Sequence, residues 1–307
     1  MLSSLLTTPL AWLPSLSLIL ISLSPIASHA ASSSSAASPF LNPSSPPAAY
    51  TNLTAIRNVL EQMENYILFA LLERSQYPLD PSLYTKPVPS QYVDLVGSKK
   101  RHGSVLDWYL DQDEASLART GQWDLPAQTP FTDRKHLPKS AIASPPKYPT
   151  VLHGAGANFD VNAALLQTYI NQTLPSLQLV QVARGRKSVN PALGPTLSAD
   201  ASLLHALSSR TLIGRYVAES KFESNTSLYT DYIRHRDLAA LTTLITNKTV
   251  EDQNVARVRT KMAVFSTGGN AEQADQILVD AAGSLYKDVL IPLTKQVEIG
   301  YLLGRLW

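Results

Sequence analysis

The sequence predicts an all-α fold, and three observations predict it. Apolar residues return at helical spacing in one segment after another. Stretches rich in Pro and Gly separate those segments, and no run alternates with the period of two that a half-buried strand requires. There is no internal repeat. At 307 residues, 44% hydrophobic and 16% charged, the chain has the make-up of an ordinary globular protein with room for one large core.

The elements follow in order. Residues 1–30 hold no Lys, Arg, Asp or Glu. An apolar run from Leu16 is followed by Ser28-His29-Ala30, a small-x-small cleavage pattern, and this predicts a secretory signal peptide over 1–30. A membrane anchor is not expected, because Pro14 and Pro25 bracket a run too short to span a bilayer. Residues 31–50, rich in Ser, Ala and Pro, are expected to be a flexible leader with nothing to bury, and the folded domain is placed at 51–307. Its first helix starts at Thr51 or Asn52 and stops near Ser75, ahead of Pro78 and Pro81, with a core stripe of Leu53, Ile56, Leu60, Met63, Ile67 and Leu71. The basic triplet Lys99-Lys100-Arg101 reads as a solvated loop, and Gly103 or Ser104 starts the next helix.

Residues 121–158, with six prolines, are expected to be loop packed over the domain. Helical periodicity resumes at Val161, is expected to break at Pro175, and is lost from Ala183 to Ser198, where Arg184, Arg186 and Lys187 form a second loop cluster. One uninterrupted helix is then expected from Ser198 or Asp200 through Lys221. Further helices are expected over Ser227–Arg234, Asp237–Leu244, Asn247–Val264, Ala271–Asp288 and Ile291–Arg305.

Composition excludes several functions. A net charge of +2 and a pI near 8.6 are too weak to hold nucleic acid, and no basic stripe is interleaved with aromatics. With no Cys there is no thiol chemistry and no Cys-ligated zinc. The six His are scattered and never in an HExxH spacing, so no metal is expected. No P-loop, G-x-S-x-G or G-x-G-x-x-G occurs; Gly154-Ala-Gly156 and Gly268-Gly269 read as turns.

The candidate site residues stand out by spacing. Arg210 and Lys221 are eleven residues apart with no Pro between them, and eleven helical steps of about 100° bring the second side chain to within roughly 20° of the first. Asn247 and Glu251 are four apart, as are Thr294 and Glu298, so each pair shares a face of one helix. Arg57 follows Ile56 of the first helix's core stripe. If these polar faces converge, they line a pocket inside a helix bundle.

The segments IRNVLEQMENYILFALLERS, GSVLDW, LSSRTLIGRYVAESKF, LYTDYI, LITNKTVE and IPLTKQVEIGYLLGRL resemble, in order and spacing, the all-helical chorismate mutases of fungi and plants, from about Leu53 to Leu306. The resemblance implies the eukaryotic chorismate mutase bundle. It also implies an isomerase that needs no cofactor and converts chorismate to prephenate by an intramolecular [3,3] rearrangement. The family's active-site residues match Arg57, Arg210, Lys221, Asn247, Glu251, Thr294 and Glu298. By the same resemblance, Arg57 and Arg210 would clamp the two substrate carboxylates, with Asn247 and Thr294 assisting. Lys221 and a protonated Glu298 would meet the breaking ether oxygen, and Glu251 would accept from the ring hydroxyl.

A homodimer, each pocket within one subunit, is also implied. The arginine pair that binds tyrosine in regulated fungal members is replaced by Gly121 and Gln122, so weak or absent control by tyrosine and tryptophan is expected. The signal peptide makes the chain similar to secreted chorismate mutases thought to divert host chorismate. The alternative is a secreted effector that binds a host plant protein on an inactive enzyme scaffold. Four N-x-S/T sequons occur, at Asn52, Asn171, Asn225 and Asn247, and the last must stay unglycosylated if the site is active.

Overall fold

The computed structural model describes residues 38–97, 102–185, 192–267 and 275–307. The expected signal peptide, the triplet Lys99-Lys100-Arg101, Arg186, Lys187 and Gly268-Gly269 lie outside the described residues. All regular structure among the described residues is helical, as the periodicity predicts.

Asn52 accepts the Ala55 amide at 2.9 Å through its side chain and so opens α1, Leu53–Arg74. Ile56, Ile67, Leu68 and Leu71 are fully buried, each contributing about 1.5–3 kcal/mol. The expected stripe is only partly core: Leu53, Leu60 and Met63 are half-buried, and the first two line the cleft described below. Nor is the whole leader free of packing. Phe40 and Tyr50 are buried edge-on to one another, and both rings stand beside Tyr216, so the packed part of the chain begins before residue 51. An aromatic inside a Ser/Pro-rich stretch was the available signal.

α2, Val105–Arg119, starts at Ser104 in a reciprocal capping box with Asp107. The long loop after it is pinned by Glu114, whose fully buried carboxylate accepts from the Phe131 and Thr132 amides at 2.6 and 2.7 Å and lies 3.0 Å from His205 Nε2.

The expected break at Pro175 does not occur. α3, Asn162–Thr168, runs through a π-helical stretch, Tyr169–Thr173, into α4, Leu174–Ala183. The wider winding ahead of the proline shifts the preceding carbonyls off the path of its ring and tolerates its missing N–H. The same device recurs near the C-terminus. There α10, Gln276–Ser284, passes through a π stretch, Leu285–Leu290, into α11, Ile291–Gly304, so Pro292 does not divide the helix either.

Between them lie α5, Leu193–Leu212, and α6, Gly214–Ser224; α7, Thr226–His235; α8, Leu238–Ile245; and α9, Lys248–Thr267. The uninterrupted helix expected through Lys221 is thus two helices, stepped at Ile213, and the first starts earlier than expected. Gly214 lies where a Cβ would meet the Thr294 backbone oxygen at 3.2 Å, so its absent side chain lets α6 approach α11 closely.

Among the described residues, ion pairs at buried carboxylates tie these helices together, as at Asp200, Glu64 and Glu219. Arg74 pairs with Asp200, which also accepts from Tyr84 Oη at 2.6 Å and Tyr169 Oη at 2.5 Å. Glu64 of α1 receives Arg257 through two donors and Lys261 at 3.0 Å, both from α9. Glu219 of α6 receives Arg305 and Tyr301 from the C-terminal end.

Candidate active site

One cleft of ≈ 330 Å³ opens between α1, α5, α6, α8, α9 and α11, and Arg57, Arg210, Lys221, Asn247, Glu251, Thr294 and Glu298 all line it. Side chains from six helices, as far apart in the chain as residues 53 and 298, therefore share one space.

Arg210 stands three residues before the step at Ile213. Its Nε and Nη1 are shut off from solvent and have no hydrogen-bond partner. Burial pulls its pKa below the ordinary arginine value, an effect that Tyr286, Glu64 and Glu298 oppose. A guanidinium in this state is short of an anion. Lys221 donates to the Ile245 carbonyl at 2.9 Å and to Glu298 Oε2 at 2.8 Å. Glu298 is buried, and burial pushes its carboxyl pKa up against the opposing pull of Lys221, Arg210 and Lys295. Thr294 turns its hydroxyl back onto the Leu290 carbonyl at 2.7 Å, leaving its oxygen able to accept.

Two residues sit differently from expectation. Asn247 is not on the helical face below Glu251; it stands just before α9, where its Oδ1 accepts the Val250 amide at 3.2 Å. It is exposed at the mouth of the cleft rather than enclosed by the bundle. Arg57 is likewise exposed, on the rim.

Lys295 also lines the cleft, and sequence spacing did not single it out. It bonds Glu251 Oε1 at 2.7 Å across the cleft, and its position beside Thr294 and three before Glu298 was the available signal. Nor did spacing single out Thr246, whose hydroxyl is buried without a partner at the cleft wall. Leu53, Leu60, Val217, Leu244 and Ile291 supply apolar surface.

Four cations, Arg57, Arg210, Lys221 and Lys295, thus face two carboxyl groups, Glu251 and Glu298, in a small, partly apolar space. That excess of positive charge suits a small organic dianion. Neither a thiol nor a serine–histidine pair lines the cleft to form a covalent intermediate. Fold and cleft together define a helical bundle whose cleft suits a small acid held by position and charge.

Known proteins place it further. The chorismate mutase of Trichoderma parareesei is 35% identical over 259 residues, 83% of this chain and 93% of that one. That of Saccharomyces cerevisiae is 33% identical over 261 residues, covering 85% and 97%. The crystal structure of the Candida albicans chorismate mutase, in complex with L-Trp, superposes with a TM-score of 0.74 at 32% identity, covering 85% of this chain and 94% of that one. No protein-family model matches the chain. The chain belongs to the chorismate mutase family, and the protein is an isomerase with that family's all-helical fold.

Proposed function

We propose that the cleft lined by Arg57, Arg210, Lys221 and Glu298 is where chorismate is converted to prephenate, in a protein made for secretion. One ether C–O bond breaks while one C–C bond forms, so the cleft need only hold the reactive conformer and stabilise the charge that develops. The unpartnered guanidinium of Arg210 carries this reading: it is buried beside the Lys221–Glu298 pair and takes one substrate carboxylate, while Arg57 closes on the other from the rim. Asn247, with Oδ1 engaged at the helix start, offers its amide N–H groups to the same ligand, and Thr294 orients it. Lys221 and protonated Glu298 donate to the ether oxygen as negative charge grows there. Glu251, held by Lys295, accepts from the ring hydroxyl.

The active species is a homodimer under weak or no control by tyrosine or tryptophan, since Gly121 and Gln122 offer an effector carboxylate no cation. After export it consumes chorismate belonging to a host. The charge-matched cleft supports this over a purely host-protein-binding role. The test is spectrophotometric loss of chorismate: the parent turns over, and Arg210→Ala loses about 100-fold or more in kcat/KM, in line with the removal of a buried, doubly bonding guanidinium. Binding of chorismate without turnover in the parent would overturn the proposal.

A further inference from the structure

α6 and α11 touch at two polar contacts that serve different sides of the helix pair. On the cleft side is Lys221–Glu298. Beyond it is Glu219, fully buried, which accepts from Tyr301 Oη at 2.5 Å and from Arg305 Nε and Nη2 at 2.8 Å each. His153 Nε2 lies 3.8 Å from the same carboxylate, and the Arg305 guanidinium stacks 3.8 Å above the Phe222 ring. None of these groups lines the cleft.

The spacing along the chain links the two contacts. Glu219 precedes Lys221 by two residues, and Tyr301 follows Glu298 by three, so Glu219 and Tyr301 each lie within one helical turn of a member of the inner contact. A slide of α6 along α11 by one residue's rise, about 1.5 Å, is enough to undo a hydrogen bond of 2.8 Å between Lys221 and Glu298. We propose that Glu219 is a positioning residue for the rearrangement: clamped by Tyr301 and Arg305, it fixes the register of α6 against α11 and thereby sets Lys221 and Glu298 at the spacing the breaking bond needs. The inference rests on the reading of Lys221 and Glu298 given above. The competing explanation is that the clamp only secures the chain end, because the loop at His153–Ala155 also fastens there: the His153 amide donates to Tyr301 Oη at 3.3 Å and the Ala155 amide to the Trp307 carbonyl at 2.8 Å.

Kinetics separate the two. Tyr301→Phe, Glu219→Gln, Lys221→Ala and the double variant Tyr301→Phe/Lys221→Ala are compared in kcat, KM, kcat against pH, and thermal melting. A positioning role lowers kcat about tenfold in Tyr301→Phe with KM within about twofold. It also moves the alkaline limb of the pH profile, which reports Glu298 among Lys221, Arg210, Lys295 and Tyr229. On the Lys221→Ala background the same change adds no further loss, because the contact it serves is already gone. If Tyr301→Phe and Glu219→Gln lower only the melting temperature, or if the losses add, the clamp is merely structural and the inference falls. Tyr301→Phe decides alone if Glu219→Gln does not fold, since it leaves the Arg305 pair in place. A Lys221→Ala variant with parental kcat would instead remove the reading of the cleft on which the clamp depends.

Discussion

In the proposed reaction, Glu298 is the single side chain that would set the pH at which the cleft works. Its burial raises the carboxyl pKa, while Lys221, Arg210 and Lys295 pull against that rise. A carboxyl group donates only when protonated, so the activity it supports is present below this raised pKa and is lost as pH climbs through it. Glu298→Gln keeps a donor at every pH; a profile of kcat against pH is expected to lose its alkaline decline, and an unaltered decline would remove Glu298 from the role. The cleft was legible at this scale where one helix carries a pair, as for Thr294 and Glu298; Arg210 and Lys221 share it although the step at Ile213 puts them on two helices. Buried Glu64, Arg74, Asp200 and Glu219 were not legible. A charge inside an apolar pattern reads as solvated until its partner is known, and the partner of Arg74 is 126 residues away and that of Glu64 is 193.

Among the elements, the helix ends followed from local chemistry, as at Asn52, Ser104 and Asp237, each of which accepts an amide at the start of its helix. Pro175 misled, because whether a proline breaks a helix depends on the winding ahead of it, and no single residue announces a π stretch. The close seating of the 151–159 loop on α11 was equally hidden. Gly156 lies where a Cβ would stand 2.2 Å from the Tyr301 backbone oxygen, a backbone contact that cannot swing aside. Gly156→Ala is expected to lower stability by roughly 1–3 kcal/mol in urea unfolding, through forced displacement of the loop. A neutral result would mean the loop is not seated on α11 in solution.

For the molecule as a whole, two expectations separate this chain from regulated members of its family. Millimolar tyrosine or tryptophan is expected to change chorismate turnover by less than about twofold, because Gly121 and Gln122, at the positions proposed to face an effector carboxylate, offer it no cation; a strong response to either amino acid would refute this. The proposed export, if it follows a glycosylating route, would put sugars within reach of Asn52, Asn171 and Asn225, all exposed. Asn247 is exposed as well, but at the mouth of the cleft, where a glycan on its amide would stand in the way of substrate. Peptide mapping of the active, secreted protein is expected to find Asn247 bare. The wide turn at Leu285–Leu290 carries a consequence for the whole assembly. It holds one amino acid more than an ordinary turn, so a deletion there that restores ordinary winding leaves Thr294, Lys295 and Glu298 facing the cleft, whereas the same deletion in the regular winding after it would swing them around the axis by about 100°. The tight constraint on the count of amino acids therefore begins where the wide turn ends.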